Sequence, residues 1–120
     1  MPSTTSDDAL DGARSMSAAA CLFRGLSDPA RLAILRHLAL GEHRVVDLTA
    51  HLGLAQSTVS AHCACLRDCG LLVARAAGRA TVYSLATPAE LLEVLAAAEG
   101  LLAATGEAVV LCPTSGDHTR

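Results

Sequence analysis

The chain has 120 residues, 52% of them hydrophobic, and a formal net charge of −3. That length suits one compact domain with a single core, and with Phe23 and Tyr83 as its aromatics the core must be built from Leu, Val, Ala and Ile. No apolar run approaches the roughly 20 residues that cross a bilayer, and the acidic start lacks the basic region of a secretory signal, so a cytoplasmic protein with no membrane partner is expected.

Residues 1–6 are polar and expected to be disordered. From Asp7 to Leu26, Leu10, Ala13, Ala18, Cys21, Leu22 and Gly25 recur at helical spacing and predict a first helix. Ser27 or Asp28 can cap a second helix, with Pro29 in its first turn, where a missing N–H costs nothing. That helix runs to Leu38 and stops at Gly41, leaving Glu42-His43-Arg44 as a connector. A short helix from Val46 to Leu52 ends at Gly53. Another follows from Gln56 to Cys69 and ends at Gly70. Two short helices around a tight turn, the second rich in Ser, Thr and His, make a helix-turn-helix pattern. The runs 71–75 and 80–85 flank Gly78-Arg79 and predict a β-hairpin with a basic tip, the wing of a winged helix. A last helix is capped at Thr87-Pro88 and ends at Gly106, with Leu91, Leu92, Leu95, Ala98, Leu101 and Leu102 forming an apolar stripe that suits a dimer face or the monomer core. The expected architecture is mainly α with a β-hairpin: a disordered start (1–6), a winged helix-turn-helix domain with dimerisation helices (7–106) and a tail (107–120).

The net charge is acidic, but its distribution is uneven. Residues 54–83 carry Arg67, Arg75 and Arg79 against Asp68, a local +2, which leaves −5 elsewhere. A local basic end is what an electrostatic footprint on DNA looks like. No nucleophile–base constellation and no phosphate loop is present, so catalysis is not expected.

Five cysteines in this spacing do not resemble a secreted disulfide framework; metal ligands, redox thiols or core residues are the expected roles. Wrapped on a helix, Val59, Cys63, Leu66 and Gly70 fall within about 60° of one another and form the core stripe. Ser57, Ser60, Ala61 and Ala64 lie roughly opposite, small enough to approach a DNA groove. Cys65 and Cys69 share a third direction, with His62 beside them. Cys63 therefore reads as a small core residue, as does Cys21 on the apolar side of the first helix. Cβ atoms four residues apart on a helix stand roughly 5–6 Å from one another, wider than the roughly 3.5–4.5 Å of a disulfide. A metal between two thiolates tolerates that gap. Two ligands do not make a tight site, and Cys112 on the tail is the natural third.

The order of elements, the segment Leu26-Ser27-Asp28-Pro29-Ala30-Arg31-Leu32-Ala33-Ile34-Leu35, the pattern Ser57-x-x-Ser60-x-His62-x-x-x-Leu66, Gly70-Leu71, and Gly78-Arg79-x-x-x-Tyr83-x-Leu85 together resemble the ArsR–SmtB family of metalloregulatory repressors over residues 18–103. The resemblance implies a homodimer that binds double-stranded operator DNA and is released by an inducing ion. Ser57, Thr58, Ser60 and His62 would address the major groove, with Arg75 and Arg79 on backbone phosphates from the wing. The thiol spacing is similar to that of the cadmium- and lead-sensing branch, which implies a three-thiolate site of Cys65, Cys69 and Cys112, the last in cis or across the dimer. Soft sulfur selects soft ions, so Cd(II) or Pb(II) is the expected inducer, with As(III) and Zn(II) as alternatives. Other family sites are missing: the last helix has Glu90, Glu93 and Glu99 but no His, and 44–48 has no thiol. The alternatives are a thiol redox-sensing repressor, with Cys112 pairing to Cys65 or Cys69 on oxidation, and a structural zinc module.

Overall fold

The computed structural model describes residues 2–112, with side chains described from Asp11 onward. Five helices and a small antiparallel sheet follow in the order α1 (Pro2–Gly25), α2 (Pro29–Leu38), β1 (His43–Arg44), α3 (Val45–Leu52), α4 (Gln56–Asp68), β2 (Leu72–Ala77), β3 (Ala80–Leu85) and α5 (Pro88–Ala104). The first helix begins at Pro2, so residues 2–6 continue the helical segment, contrary to the expected disorder; a proline is tolerated at a helix start, where its absent N–H would have no partner anyway.

Asp28 caps α2, its carboxylate accepting from the N–H groups of Ala30 at 2.7 Å and Arg31 at 3.3 Å. Arg44 precedes α3, and Asp47 in the first turn accepts from the Arg44 backbone N–H and pairs with its guanidinium, each at 3.2 Å. Gly53 closes α3 in the left-handed conformation (φ +68°), a turn that a residue with a Cβ would resist. The chain then enters α4, whose N-cap position is Ala55 and offers no capping side chain.

The sheet order is β1-β3-β2, with His43 opposite Tyr83 and Leu72 opposite Leu85. β1 is the strand that the connector reading missed. Two residues are too few to show alternation, and only pairing with β3 makes them a strand. The predicted wing is present, its turn at Gly78-Arg79 having the glycine in the left-handed region at the first loop position, as short hairpin turns favour.

Ile34, Leu35, Leu48, Val59, Cys63 and Leu66 are wholly buried and join α2, α3 and α4 into one core with Leu72, Tyr83, Leu85, Leu91 and Leu95. The aliphatic core expected from composition is what forms, and Phe23 stays on the surface. Only part of the α5 stripe packs inward: Leu91 and Leu95 are buried, while Leu101 is exposed. Met16, Phe23 and Leu101 leave apolar side chains of α1 and α5 uncovered.

Candidate nucleic-acid interface and thiol site

The recognition helix of the helix-turn-helix is α4, and its two halves do different work. Ser57 and Thr58 are exposed in its first turn, and Ser60 is half-buried behind them. Because no side chain caps this end, the first backbone N–H groups of α4 remain as donors, an arrangement suited to phosphate. Gln56 and Ser60 share a concavity with Arg44, Val46, Arg79 and Thr81, which spans the start of α4 and the wing. Arg44 and Gln56 did not stand out in the sequence. Their place in this concavity depends on β1 pairing beside the wing.

Two of the expected DNA contacts are otherwise engaged. Arg75 is held by Glu42 through two bonds, Nη2 to Oε1 at 2.5 Å and Nε to Oε2 at 3.2 Å. The guanidinium keeps the Glu42 carboxyl below its ordinary range, and the carboxylate raises Arg75 in turn. Both groups are about half exposed, so the pair is weak and can open to a phosphate. His62 points at α2 rather than outward. Its Nδ1 accepts from Arg31 Nη1 at 3.2 Å, and its Nε2 lies 3.8 Å from the Asp28 carboxylate. An arginine cannot accept a hydrogen bond, so the neutral imidazole carries its proton on Nε2. Arg31 also donates to the carbonyls of Arg24 at 2.8 Å and Gly25 at 3.0 Å, which ties the end of α1 to the recognition helix.

The thiols occupy the second half of α4. Cys63 is fully buried, and burial pushes its thiol up to about 11, as befits the core residue expected from its angle. Cys65 is half-buried with a free thiol. Cys69 caps the helix C-terminus, and its sulfur is turned to α1, where it forms a disulfide with Cys21; the two Cα atoms are 5.6 Å apart across 48 positions. This corrects the reading of Cys21 as a plain apolar residue and of Cys112 as the oxidation partner of Cys69. Gly25 is buried at the end of α1 beside this bond, where a Cβ would meet Leu71, Leu66 and Cys69 at ordinary contact distances of 3.4, 3.5 and 3.9 Å. Arg24 sets its guanidinium 3.4 Å from the Cys21 sulfur and 4.0 Å from that of Cys69.

Cys112 is buried rather than free on a loose tail. Glu99 of α5 fixes it, accepting from the N–H groups of Leu111 at 2.5 Å and Cys112 at 2.8 Å. Those two donors, Cys112 first, hold the Glu99 carboxyl below its ordinary range. Among the described residues no three Cys, His, Asp or Glu side chains stand close enough together to hold a metal ion, so one chain by itself does not gather Cys65, Cys69 and Cys112.

A separate cluster joins His37, His43 and His51, with ring centroids 4.8–6.3 Å apart. Desolvation first, then the charges of His51, His43 and Arg36, depress the pKa of His37 below 6.5. The folded state therefore resists protonation of His37. Its contribution is intact above the ordinary value and is lost as pH falls through the depressed one. His37→Gln is expected to narrow the drop in melting temperature between about pH 7.5 and about pH 5.5; equal drops in both proteins would rule this out.

A helix-turn-helix (α3–α4) followed by the β2–β3 wing is the architecture of the winged helix-turn-helix class of DNA-binding proteins. Within that class the chain belongs to the ArsR family. Residues 28–73 match the family described as "Bacterial regulatory protein, arsR family". The crystal structure of Mycobacterium tuberculosis Rv0081 superposes with a TM-score of 0.67 at 35% identity, over 75% of this chain and 90% of that one. The solution structure of the homodimeric winged helix-turn-helix domain Mb0332 from Mycobacterium bovis gives a TM-score of 0.66 at 30% identity, over 72% and 82% of the two chains. In sequence, the chain is 51% identical over 70 residues to the HTH-type transcriptional regulator CmtR of Mycobacterium tuberculosis. That match covers 58% of this chain and 59% of CmtR, so the chain spans well under two thirds of this relative's length.

Proposed function

We propose that the protein is a cytoplasmic, homodimeric transcriptional repressor that holds operator DNA and lets it go when a thiophilic metal ion binds. One observation carries this reading: the expected DNA contacts Ser57, Thr58 and Ser60 lie at the start of α4, while Cys65 and the C-cap residue Cys69 lie at its other end. Whatever grips the second half of that helix acts directly on the half that meets the groove. Thiolate donors suit Cd(II) and Pb(II), with As(III) and Zn(II) as weaker alternatives. Cys65 and Cys69 would hold the ion, and Cys112, positioned by Glu99, would complete the set from its own chain or the partner. Uncovered apolar side chains on α1 and α5, together with the homodimeric relative, support two copies and hence a pseudo-palindromic operator.

Linkage sets the size of the effect: a coupling of about 3 kcal/mol between ion and operator changes affinity on the order of a hundredfold, and it acts in both directions. The direct test is operator binding by fluorescence anisotropy during titration with cadmium, lead, arsenite and zinc, alongside ultraviolet thiolate-to-metal absorption. Release by peroxide in place of every ion would transfer the reading to an oxidant-responsive repressor. At the wing, Arg79→Ala is expected to weaken binding to all DNA sequences alike and to reduce the slope of log affinity against log salt by about 0.9, the signature of one lost phosphate contact. A change in sequence preference with an unaltered slope would contradict that role.

A further inference from the structure

We propose that Cys21 is an oxidant-operated gate on the metal site: its disulfide with Cys69 withdraws one of the two recognition-helix thiolates and leaves the protein blind to its inducing ion. This rests on the reading above, in which Cys69 is a metal ligand. Three observations carry it. Cys69 has one sulfur and is bonded to Cys21, so the same atom cannot at once serve as a thiolate ligand. The Cα separation of 5.6 Å lies in the middle of the range a disulfide accepts, so the packing of α1 against the end of α4 suits the bond. Arg24 reaches both sulfurs, at 3.4 Å and 4.0 Å, so one guanidinium spans the pair. Cys65, one turn away, keeps its free thiol and remains as a single ligand when the gate is shut.

The chemistry balances with a hydroperoxide as oxidant. One thiolate attacks the peroxide, the O–O bond breaks, and a sulfenic acid forms as hydroxide or alkoxide leaves and takes up, as water or alcohol, the proton that the thiol had given to solvent. The second thiol attacks that sulfur, the S–S bond forms, the S–O bond breaks, and water leaves. Two thiols thus lose two electrons to one peroxide, and a thiol reductant reverses the change by exchange.

The test uses the full chain, first reduced and then treated with stoichiometric hydrogen peroxide. Cadmium binding is read from the thiolate-to-metal absorption, and disulfides are mapped by mass spectrometry of proteolytic fragments. Oxidised wild type is expected to yield a Cys21–Cys69 linked fragment and to bind cadmium at least about a hundredfold more weakly, since even the loss of an outer partner of a metal site costs roughly 10–100-fold. Reductant should restore binding. Cys21→Ala, and Cys21→Ser as a check on packing, should bind cadmium like reduced wild type and keep doing so after the same peroxide dose. A different linkage, or cadmium binding in oxidised wild type equal to that of the reduced protein, overturns the gate alone. Absence of thiolate-to-cadmium absorption in reduced wild type overturns the metal reading itself, and the gate with it.

Discussion

Cys65→Ser is expected to leave operator binding within about twofold of wild type and to abolish its release by cadmium. Cys65 lies on neither the buried stripe of Val59, Cys63 and Leu66 nor the exposed first turn of α4, so exchanging sulfur for oxygen disturbs neither packing nor DNA contact. What it removes is a soft donor that a serine hydroxyl does not replace. If the ion weakens operator binding on the order of a hundredfold in wild type, a coupling of about 3 kcal/mol, that entire difference should vanish in the variant. Anisotropy titrations with and without cadmium measure both quantities in one experiment. A variant that still releases DNA as wild type does would remove Cys65 from the site. A variant that no longer binds the operator would show instead that the side chain serves the DNA interface.

Leu66→Ala is expected to cost about 2–5 kcal/mol of stability, the range for a leucine truncated in a close-packed core. Leu66 is wholly buried, and it meets the end of α1 beside Gly25, so neighbouring backbone limits how far the cavity can collapse. Against a typical total of about 5–15 kcal/mol, the loss is a large fraction and should lower the melting temperature by on the order of 10 °C. Urea denaturation of Leu66→Ala beside Leu40→Ala gives the comparison, because Leu40 is 70% exposed and its truncation should fall within about 0.5 kcal/mol of wild type. Equal midpoints for the two variants would contradict the packing of α4 on α1 and α2.

Much of this protein follows from short-range pattern. The 3.6-residue period put Val59, Cys63 and Leu66 on one face of α4 and set Cys65 apart from them, and the helix stops at Gly53 and Gly70 lie where the sequence placed them. Asp28-Pro29 opens α2 as expected. These features depend on residues within a few positions of one another, whose geometry the helix itself imposes. The partners of individual side chains were not legible in the same way. Cys69 meets Cys21 across 48 positions, Arg75 meets Glu42 across 33, and His62 meets Arg31 across 31. Each of these pairs depends on where one element ends against another.

Local periodicity thus determined by itself that a thiol-bearing recognition helix and a basic wing would form. Only the packing of helix ends decided that the sulfur of Cys69 faces α1 rather than the tail, and that Glu99 holds Cys112 in place. The physical reason is that a helix sets the direction of a side chain from its neighbours in sequence, whereas what that side chain touches depends on the approach of a distant backbone, here the end of α1 against the end of α4.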